Sequence, residues 1–297
     1  MPLIPVPDMM RHAIRHGYAI GYFESWNLVS LQGVLDAAER SRSPVIVGFN
    51  GEFLSRLQRL TEERLTWYGA LGRAAAESAK VPVGLIFNEC PQDDRVREAV
   101  TAGFNLVMPV ASDGEAHADY AHRVTSLTKF AHDHRVAVEA ELGILPYGTE
   151  MQGGNYTDPE RAREFVAATG IDLLAVSVGN IHVLLNGQRE LDLDKVAALH
   201  EQVPIPLVLH GGTGIGAKSL REAIHLGVAK VNYGTYLKQH YLAATRQAMA
   251  NDDPNPHHLL GYGGEDDILV AGRRAVCEAV LTKVEILGCT GKADSNE

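Results

Sequence analysis

The sequence predicts an α/β protein whose parallel strands close into a barrel. Short apolar runs rich in β-branched residues alternate with longer segments of helical periodicity, which is typical of βαβ units. Eight such strand and helix pairs can be counted, the number that closes a (β/α)8 TIM barrel. The 297 residues leave room for extra loops around a barrel whose usual size is about 250 residues.

The elements follow one another along most of the chain. The predicted strands are residues 18–23, 44–49, 81–87, 105–110, 135–142, 173–178, 206–210 and 230–234. The predicted helices include residues 28–40, 61–79, 93–102, 115–133, 158–168, 192–202 and 217–226, with a further helix near the C-terminus. An open, doubly wound sheet is the alternative, but it would be favoured by a GxGxxG turn that residues 21–27 do not offer. No linker or repeat divides the chain, so we expect a single domain over residues 1–297.

Composition argues against several kinds of partner. The formal net charge of -10 opposes attraction to nucleic acid or to anionic bilayers. The three cysteines, Cys90, Cys277 and Cys289, form no CxxC pair, which suits free thiols in a reducing compartment. No run of about 18 apolar residues occurs, and the first residues lack the apolar core of an export signal. We therefore expect a cytoplasmic protein with neither a nucleic-acid nor a membrane partner.

Polar residues are predicted at the C-terminal ends of several strands, where barrels of this kind place their catalytic groups. They are Asn50, Asn88, Glu89, Glu139, Glu141, Asn180, His182, His210, Asn232 and Thr235. Of 13 histidines, only His182 and His210 have this placement. Two imidazoles with carboxylates nearby can hold a divalent metal ion. The alternative is a pair of hydrogen-bonded structural histidines.

Two glycine-rich turns follow the last two predicted strands. They read HGGTG at residues 210–214 and NYGT at residues 232–235. Backbone amides exposed by glycines beside a helix N-terminus form the usual phosphate site of this barrel class. Tight turns alone would explain the glycines, but not the hydroxyls of Thr213 and Thr235.

Two carboxylates lie on the fifth predicted strand. Glu139 and Glu141 are two residues apart, so their side chains leave the same face of the strand and should point into the barrel. A buried carboxylate is unfavourable unless it is paired or bound to a metal. We expect one of them to meet a cation or several donors, or else to form a structural ion pair with a lysine such as Lys230.

These segments resemble the class II, metal-dependent family of fructose-bisphosphate and tagatose-bisphosphate aldolases nearly from end to end. The matching segments are GYAIGYFESWN (17–27), AAERSRSPVIVGFNG (37–51), AVEAELG (137–143), NYTDPERAREFVAATGIDLLAVSVGNIH (155–182), PLVLHGGTGI (206–215), VAKVNYGT (228–235) and LGCTGKA (287–293). The resemblance implies a zinc-dependent aldehyde-lyase of carbohydrate metabolism, and we expect a homodimer or homotetramer.

The resemblance also implies roles for individual residues. His182 and His210 match two of the three zinc ligands, and Glu141 matches a carboxylate associated with an alternative position of the metal. The residues that fall at contacts to substrate phosphate and hydroxyl groups are Asn50, Gly211, Thr213, Asn232, Gly234 and Thr235.

The similarity breaks after the third predicted strand. Where the family has HLDHG, this chain has IFNEC. Asn88 therefore occupies the position of the family's catalytic aspartate, and Glu89 occupies the position of its third zinc-binding histidine. Further departures from the family pattern are Asn50, Val110, Val183 and Tyr236. Glutamate is a competent zinc ligand, but asparagine cannot take and return a proton. General acid-base catalysis is worth about 10²- to 10⁴-fold in rate, so another group or another reaction is expected.

We therefore expect a divergent metal-dependent lyase that acts on a phosphorylated or otherwise anionic ketose through a metal-stabilised enediolate. Glu89, His182 and His210 would hold zinc or another divalent ion, and Asn88 would orient the reacting hydroxyl. Glu150, in the glycine-rich segment after the fifth strand, is the candidate general base. Two alternatives remain: an isomerase, epimerase or decarboxylase on the same scaffold, or a non-catalytic subunit that binds sugar phosphates.

Overall fold

The computed structural model describes residues 3–56, 58–143, 145, 156–182 and 187–294. Its parallel strands pair in chain order and close into a barrel, with the last strand hydrogen-bonded to the first. The strands are β1 (Ile20–Glu24), β2 (Val45–Asn50), β3 (Val83–Cys90), β4 (Leu106–Pro109), β5 (Ala137–Leu142), β6 (Leu173–Val176), β7 (Leu207–Leu209) and β8 (Val228–Tyr233). The predicted (β/α)8 barrel is confirmed.

Helices surround the barrel. They are α1 (Val6–Arg15), α2 (Leu28–Ser41), α3 (Gly51–Leu54), α4 (Leu65–Ser78), α5 (Asp93–Ala102), α6 (His117–Asp133), α7 (Pro159–Thr169), α8 (Leu193–Gln202), α9 (Ala217–His225), α10 (Thr235–Ala248), α11 (Pro256–Leu259) and α12 (Ile268–Leu287). Helix α1 and the short helices α3 and α11 are additions to the predicted pattern. No helix in these ranges is long and apolar enough to cross a membrane.

Local sequence explains where several of these helices begin and how they pack. Asn27 caps α2 through a reciprocal pair of hydrogen bonds with Ser30, and Asp158 accepts a backbone hydrogen bond at the start of α7. Helix α12 packs against α2 at Gly33, where a Cβ atom would lie 2.7 Å from the carbonyl oxygen of Arg273. The missing side chain of Gly33 therefore allows the C-terminal helix to close against the barrel wall.

Candidate active site

A bulge at the end of β3 aims two consecutive side chains at one cavity. On the β4 side, Phe87 pairs with Val107 and Cys90 with Pro109, so Asn88 and Glu89 together face a single residue of β4. Glu89 has a left-handed backbone, with φ of 57°. Bulges of this kind redirect side chains that would otherwise alternate between the two faces of a sheet. As a result, Asn88 and Glu89 both line the same cavity at the C-terminal end of the barrel.

The carboxylate of Glu89 joins the two predicted metal-binding histidines. Its Oε1 lies 2.8 Å from Nδ1 of His210 and 3.0 Å from Nε2 of His182. Its other oxygen accepts a hydrogen bond of 2.6 Å from the side-chain amide of Asn50. Burial alone would raise the pKa of Glu89, but the two imidazoles outweigh it and hold that pKa well below its usual range. The structure thus brings together four residues that the sequence predicts at the ends of strands.

His210 lies between two carboxylates. Its Nε2 is 3.0 Å from Oε1 of Glu139, which also forms a fully buried ion pair of 2.8 Å with Lys230. The amide nitrogen of Asn232 is 2.9 Å from the same Nε2, and Lys230 donates to the Asn232 oxygen. The charged acceptor favours a proton on Nε2 directed at Glu139. Burial alone would lower the pKa of His210, but Glu139 and Glu89 raise it to about 10.

The arrangement fits a divalent cation. One ligand atom from each of Glu89, His182 and His210 lies within 4.8 Å of the other two, and two histidines with one glutamate form a known catalytic zinc set. Metal-binding histidines usually donate their second nitrogen to a carboxylate. Glu139 can meet this requirement by accepting the Nε2 proton of His210, and a cation at Nδ1 would displace the proton that this nitrogen shares with Glu89.

Glu141, also predicted near the metal, borders a separate cavity. This second cavity of about 220 Å³ shares Glu89 and His182 with the first and also contacts Glu52 and Val110. Burial raises the pKa of Glu141. Among the described residues, the group whose ligand atoms lie close enough to share a cation consists of Glu89, His182 and His210 and does not include Glu141.

The main cavity, about 230 Å³ in volume, also holds the predicted substrate contacts. These are Asn50, Gly211, Thr213, Asn232, Gly234 and Thr235. Gly211 has φ of 68°, and a Cβ atom there would collide with the carbonyl oxygen of Ile181, so only glycine fits this turn. Helix α10 begins at Thr235, which places its N-terminal amides beside the cavity. The amide of Tyr236 donates to the Thr213 hydroxyl and ties the two glycine-rich turns together.

Other residues of the cavity were not selected from the sequence. Strand β1 contributes Tyr22 and Glu24, and α10 contributes Lys238, which forms an ion pair with Glu24. Burial raises the pKa of Glu24, while Lys238 opposes that effect. The alternation of β1 would have placed Tyr22 and Glu24 on one face, but the predicted strand ended at residue 23, one position too early.

Two further residues have roles predicted from the sequence. Glu150, the candidate general base, and Val183, beside the first metal-binding histidine, lie outside the described residues. Their roles stay predictions.

Comparison with known proteins identifies similar chains. A sequence profile described as fructose-bisphosphate aldolase class-II matches residues 5–292. The fructose-bisphosphate aldolase of Geobacillus stearothermophilus is 33% identical over 304 residues, covering 99% of each chain. The YdjI protein of Escherichia coli (strain K12) is 35% identical over 285 residues, covering 93% of this chain and 94% of that protein. A crystal structure of the YdjI aldolase matches with a TM-score of 0.83 and 32% identity, over 98% of this chain and 100% of that one.

Proposed function

The chain belongs to the class II fructose-bisphosphate aldolase family, an aldolase-type lyase family, and on that premise we propose that it cleaves or forms a carbon-carbon bond in a phosphorylated ketose. The observation that carries this proposal is the presence in one cavity of three side chains whose ligand atoms are close enough to hold a cation, together with two glycine-rich turns. A cation held by these side chains would polarise the carbonyl of such a substrate, and the amides of the glycine-rich turns would bind its phosphate.

The metal ion that the family uses would be held by Glu89, His182 and His210. When bound, such an ion draws electron density from a carbonyl oxygen and so favours charge on the neighbouring carbon. Within the protein, Glu139 keeps the Nε2 proton of His210 in place, and Asn50 orients Glu89 by donating to its second oxygen. We propose zinc as the ion, since it accepts this donor set.

Aldol cleavage also requires a proton to leave the hydroxyl next to the breaking bond. Asn88 cannot take this proton, but its buried Oδ1 atom has no hydrogen-bond partner among the described residues and can accept a hydrogen bond from the hydroxyl. Asn88 would therefore orient the reacting group. Glu150 remains our proposed general base, on the sequence pattern alone.

The phosphate would bind between the two glycine-rich turns. Amides beside Gly211 and Gly234, the start of α10 and the hydroxyls of Thr213 and Thr235 all border that end of the cavity. We also propose a cytoplasmic homodimer or homotetramer, as the resemblance to the family implies.

Metal content tests the first part of the proposal. Protein dialysed against zinc and then against buffer should retain about one ion per chain, measured by inductively coupled plasma mass spectrometry. His210→Ala should retain much less, because it removes one of three ligands. His225→Ala, an exposed histidine at the end of α9, is the matched control. Equal metal content in wild type and His210→Ala would contradict the assigned site.

Substrate cleavage tests the second part. Metal-loaded protein should release a triose phosphate from one or more members of a panel of ketose phosphates and bisphosphates, detected by coupled reduction with a nicotinamide cofactor. A chelator should abolish the activity, and zinc should restore it. Metal-loaded protein that cleaves no member of the panel would contradict a role as a ketose-phosphate lyase and favour the non-catalytic alternative.

Phosphate binding can be measured without turnover. Dihydroxyacetone phosphate should raise the melting temperature, because a ligand at about 100 times its Kd stabilises the native state by about 2.7 kcal/mol. Thr213→Ala and Thr235→Ala should reduce this shift. Thr245→Ala is the control, since its hydroxyl bonds to the backbone within α10. An undiminished shift in both cavity variants would place the phosphate elsewhere.

A further inference from the structure

Tyr22 and Asn88 both border the main cavity, and each has a buried polar atom without a partner among the described residues. Tyr22 lies on β1 with 2% of its surface exposed, and Asn88 lies on β3 with 3% exposed. The Tyr22 hydroxyl and Asn88 Oδ1 both have no hydrogen-bond partner among the described residues. A buried polar atom without a partner destabilises a protein by about 1–3 kcal/mol, so such atoms call for a physical explanation.

Neighbouring polar side chains in the barrel interior have partners, the Oε2 atom of Glu139 through its ion pair with Lys230 rather than a hydrogen bond. Lys230 bonds to Glu139 and Asn232, and Asn50 bonds to Glu89. The ring of Tyr22 lies above this network, with its centroid 5.2 Å from the Lys230 ammonium. The unsatisfied pair is thus not the result of a poorly packed interior, and both side chains border the space that a ligand would fill.

The two atoms specify the chemistry of that ligand. Asn88 Oδ1 can only accept a hydrogen bond, so the group opposite it must be a donor. A phosphate dianion or a carbonyl oxygen does not meet this condition, but a hydroxyl does. Burial raises the pKa of Tyr22 well above its usual value, with Glu24, Glu89 and Glu139 acting in the same direction, so its phenol keeps the proton and can donate it.

We propose that Tyr22 is a specificity-determining residue whose hydroxyl donates a hydrogen bond to a hydroxyl of the substrate, while Asn88 accepts one from the same or a neighbouring hydroxyl. The inference rests on the proposed function, because it places a ketose phosphate in this cavity. Beyond that function, we infer that the protein recognises the hydroxyl groups of its substrate near β1 and β3 as well as the phosphate.

Two unreactive probes separate these contributions. Glucitol 1,6-bisphosphate has the chain length and charge of hexane-1,6-diol bisphosphate but carries four hydroxyls that the latter lacks, and neither has a carbonyl. Isothermal titration calorimetry should show tighter binding of the polyol to the metal-loaded wild type. Tyr22→Phe should weaken polyol binding by about 3- to 10-fold, the net value of one hydrogen bond, and leave the hydroxyl-free probe unchanged.

A second tyrosine provides the matched control. The Tyr233 hydroxyl also lacks a partner among the described residues, and Tyr233 also borders the main cavity. Its ring, however, stacks on Phe23 beneath Lys283 of α12, and the alternation of β8 puts it on the face opposite to that of Asn232, which contacts His210. Tyr233→Phe should therefore change neither affinity. Equal weakening of both probes in Tyr22→Phe would mean that the tyrosine acts through packing and would overturn the proposal. So would wild-type protein that binds the polyol no better than the hydroxyl-free probe, or not at all at millimolar concentration.

Because neither probe reacts, this result does not depend on turnover. Hydroxyl-dependent binding without cleavage of any ketose phosphate would contradict the proposed function and keep the role of Tyr22. Cleavage of a ketose phosphate without hydroxyl-dependent binding of the probes would support the proposed function and overturn the role of Tyr22.

Discussion

Replacing Glu89 by glutamine is expected to lower the rate of carbon-carbon bond cleavage by about 10³-fold, because a metal ion contributes several kcal/mol to such a reaction and each 1.36 kcal/mol is tenfold in rate. Glutamine keeps the size of the side chain but is neutral, so it is a poor metal ligand. It also removes the charge that lies against His182 and His210. Steady-state cleavage of the best ketose phosphate, together with metal content, measures both effects.

Two further variants help to explain the loss of cleavage activity in Glu89→Gln. Glu160→Gln removes an exposed carboxylate in the first turn of α7 and should leave turnover unchanged. Glu89→Asp keeps the charge at a position with a left-handed backbone, which aspartate tolerates better than most residues, and should retain part of the activity and metal. If Glu89→Gln kept wild-type turnover and a full complement of metal, Glu89 would not be a ligand.

The second large effect concerns stability. Lys230→Met should lower the free energy of unfolding by about 3–5 kcal/mol, because it leaves the buried carboxylate of Glu139 without its cation. Both side chains are fully buried, and burial alone would raise the pKa of Glu139, whereas Lys230 and His210 hold it below its usual value. Urea unfolding in the presence of a chelator measures the change without a contribution from bound metal.

A double-mutant cycle separates the ion pair from general packing. Adding Glu139→Gln to Lys230→Met should recover part of the lost stability, since no unpaired charge then remains. Arg73→Met breaks the exposed helical pair with Glu77 and should have a much smaller effect. Strictly additive effects of the two buried substitutions would show that Lys230 and Glu139 do not stabilise one another.

The barrel could be predicted because its signals are local. Apolar alternation, helix caps and glycine turns depend on residues close together in the chain, and the observed strands lie within a few residues of their predicted positions. The end of β3 is the largest difference, since the strand continues to Cys90 rather than stopping at residue 87. Its last residues belong to a bulge whose register is set by β4, and a pairing with a distant strand leaves no local signal.

The candidate site was predictable where a residue ends a strand or matches a family motif. His182, His210 and Glu89 all meet the first condition, and the resemblance to the family adds that Glu89 stands in an altered motif. Tyr22 met neither, because a tyrosine within an apolar strand has the pattern of an ordinary core residue. Only the three-dimensional surroundings show that its side chain borders the main cavity and that its buried hydroxyl has no partner among the described residues.

The Lys230–Glu139 pair also has a consequence for biosynthesis. Glu139 is on β5 and Lys230 is on β8. At a translation rate of about 5–20 residues per second, Glu139 is synthesised roughly 5–20 seconds before Lys230. During that interval a dry barrel interior would enclose an unpaired charge, which is strongly unfavourable. The nascent chain should therefore keep β5 hydrated, and the barrel should close only when β8 arrives. A fragment that ends before Val228 should remain an open, partly hydrated sheet.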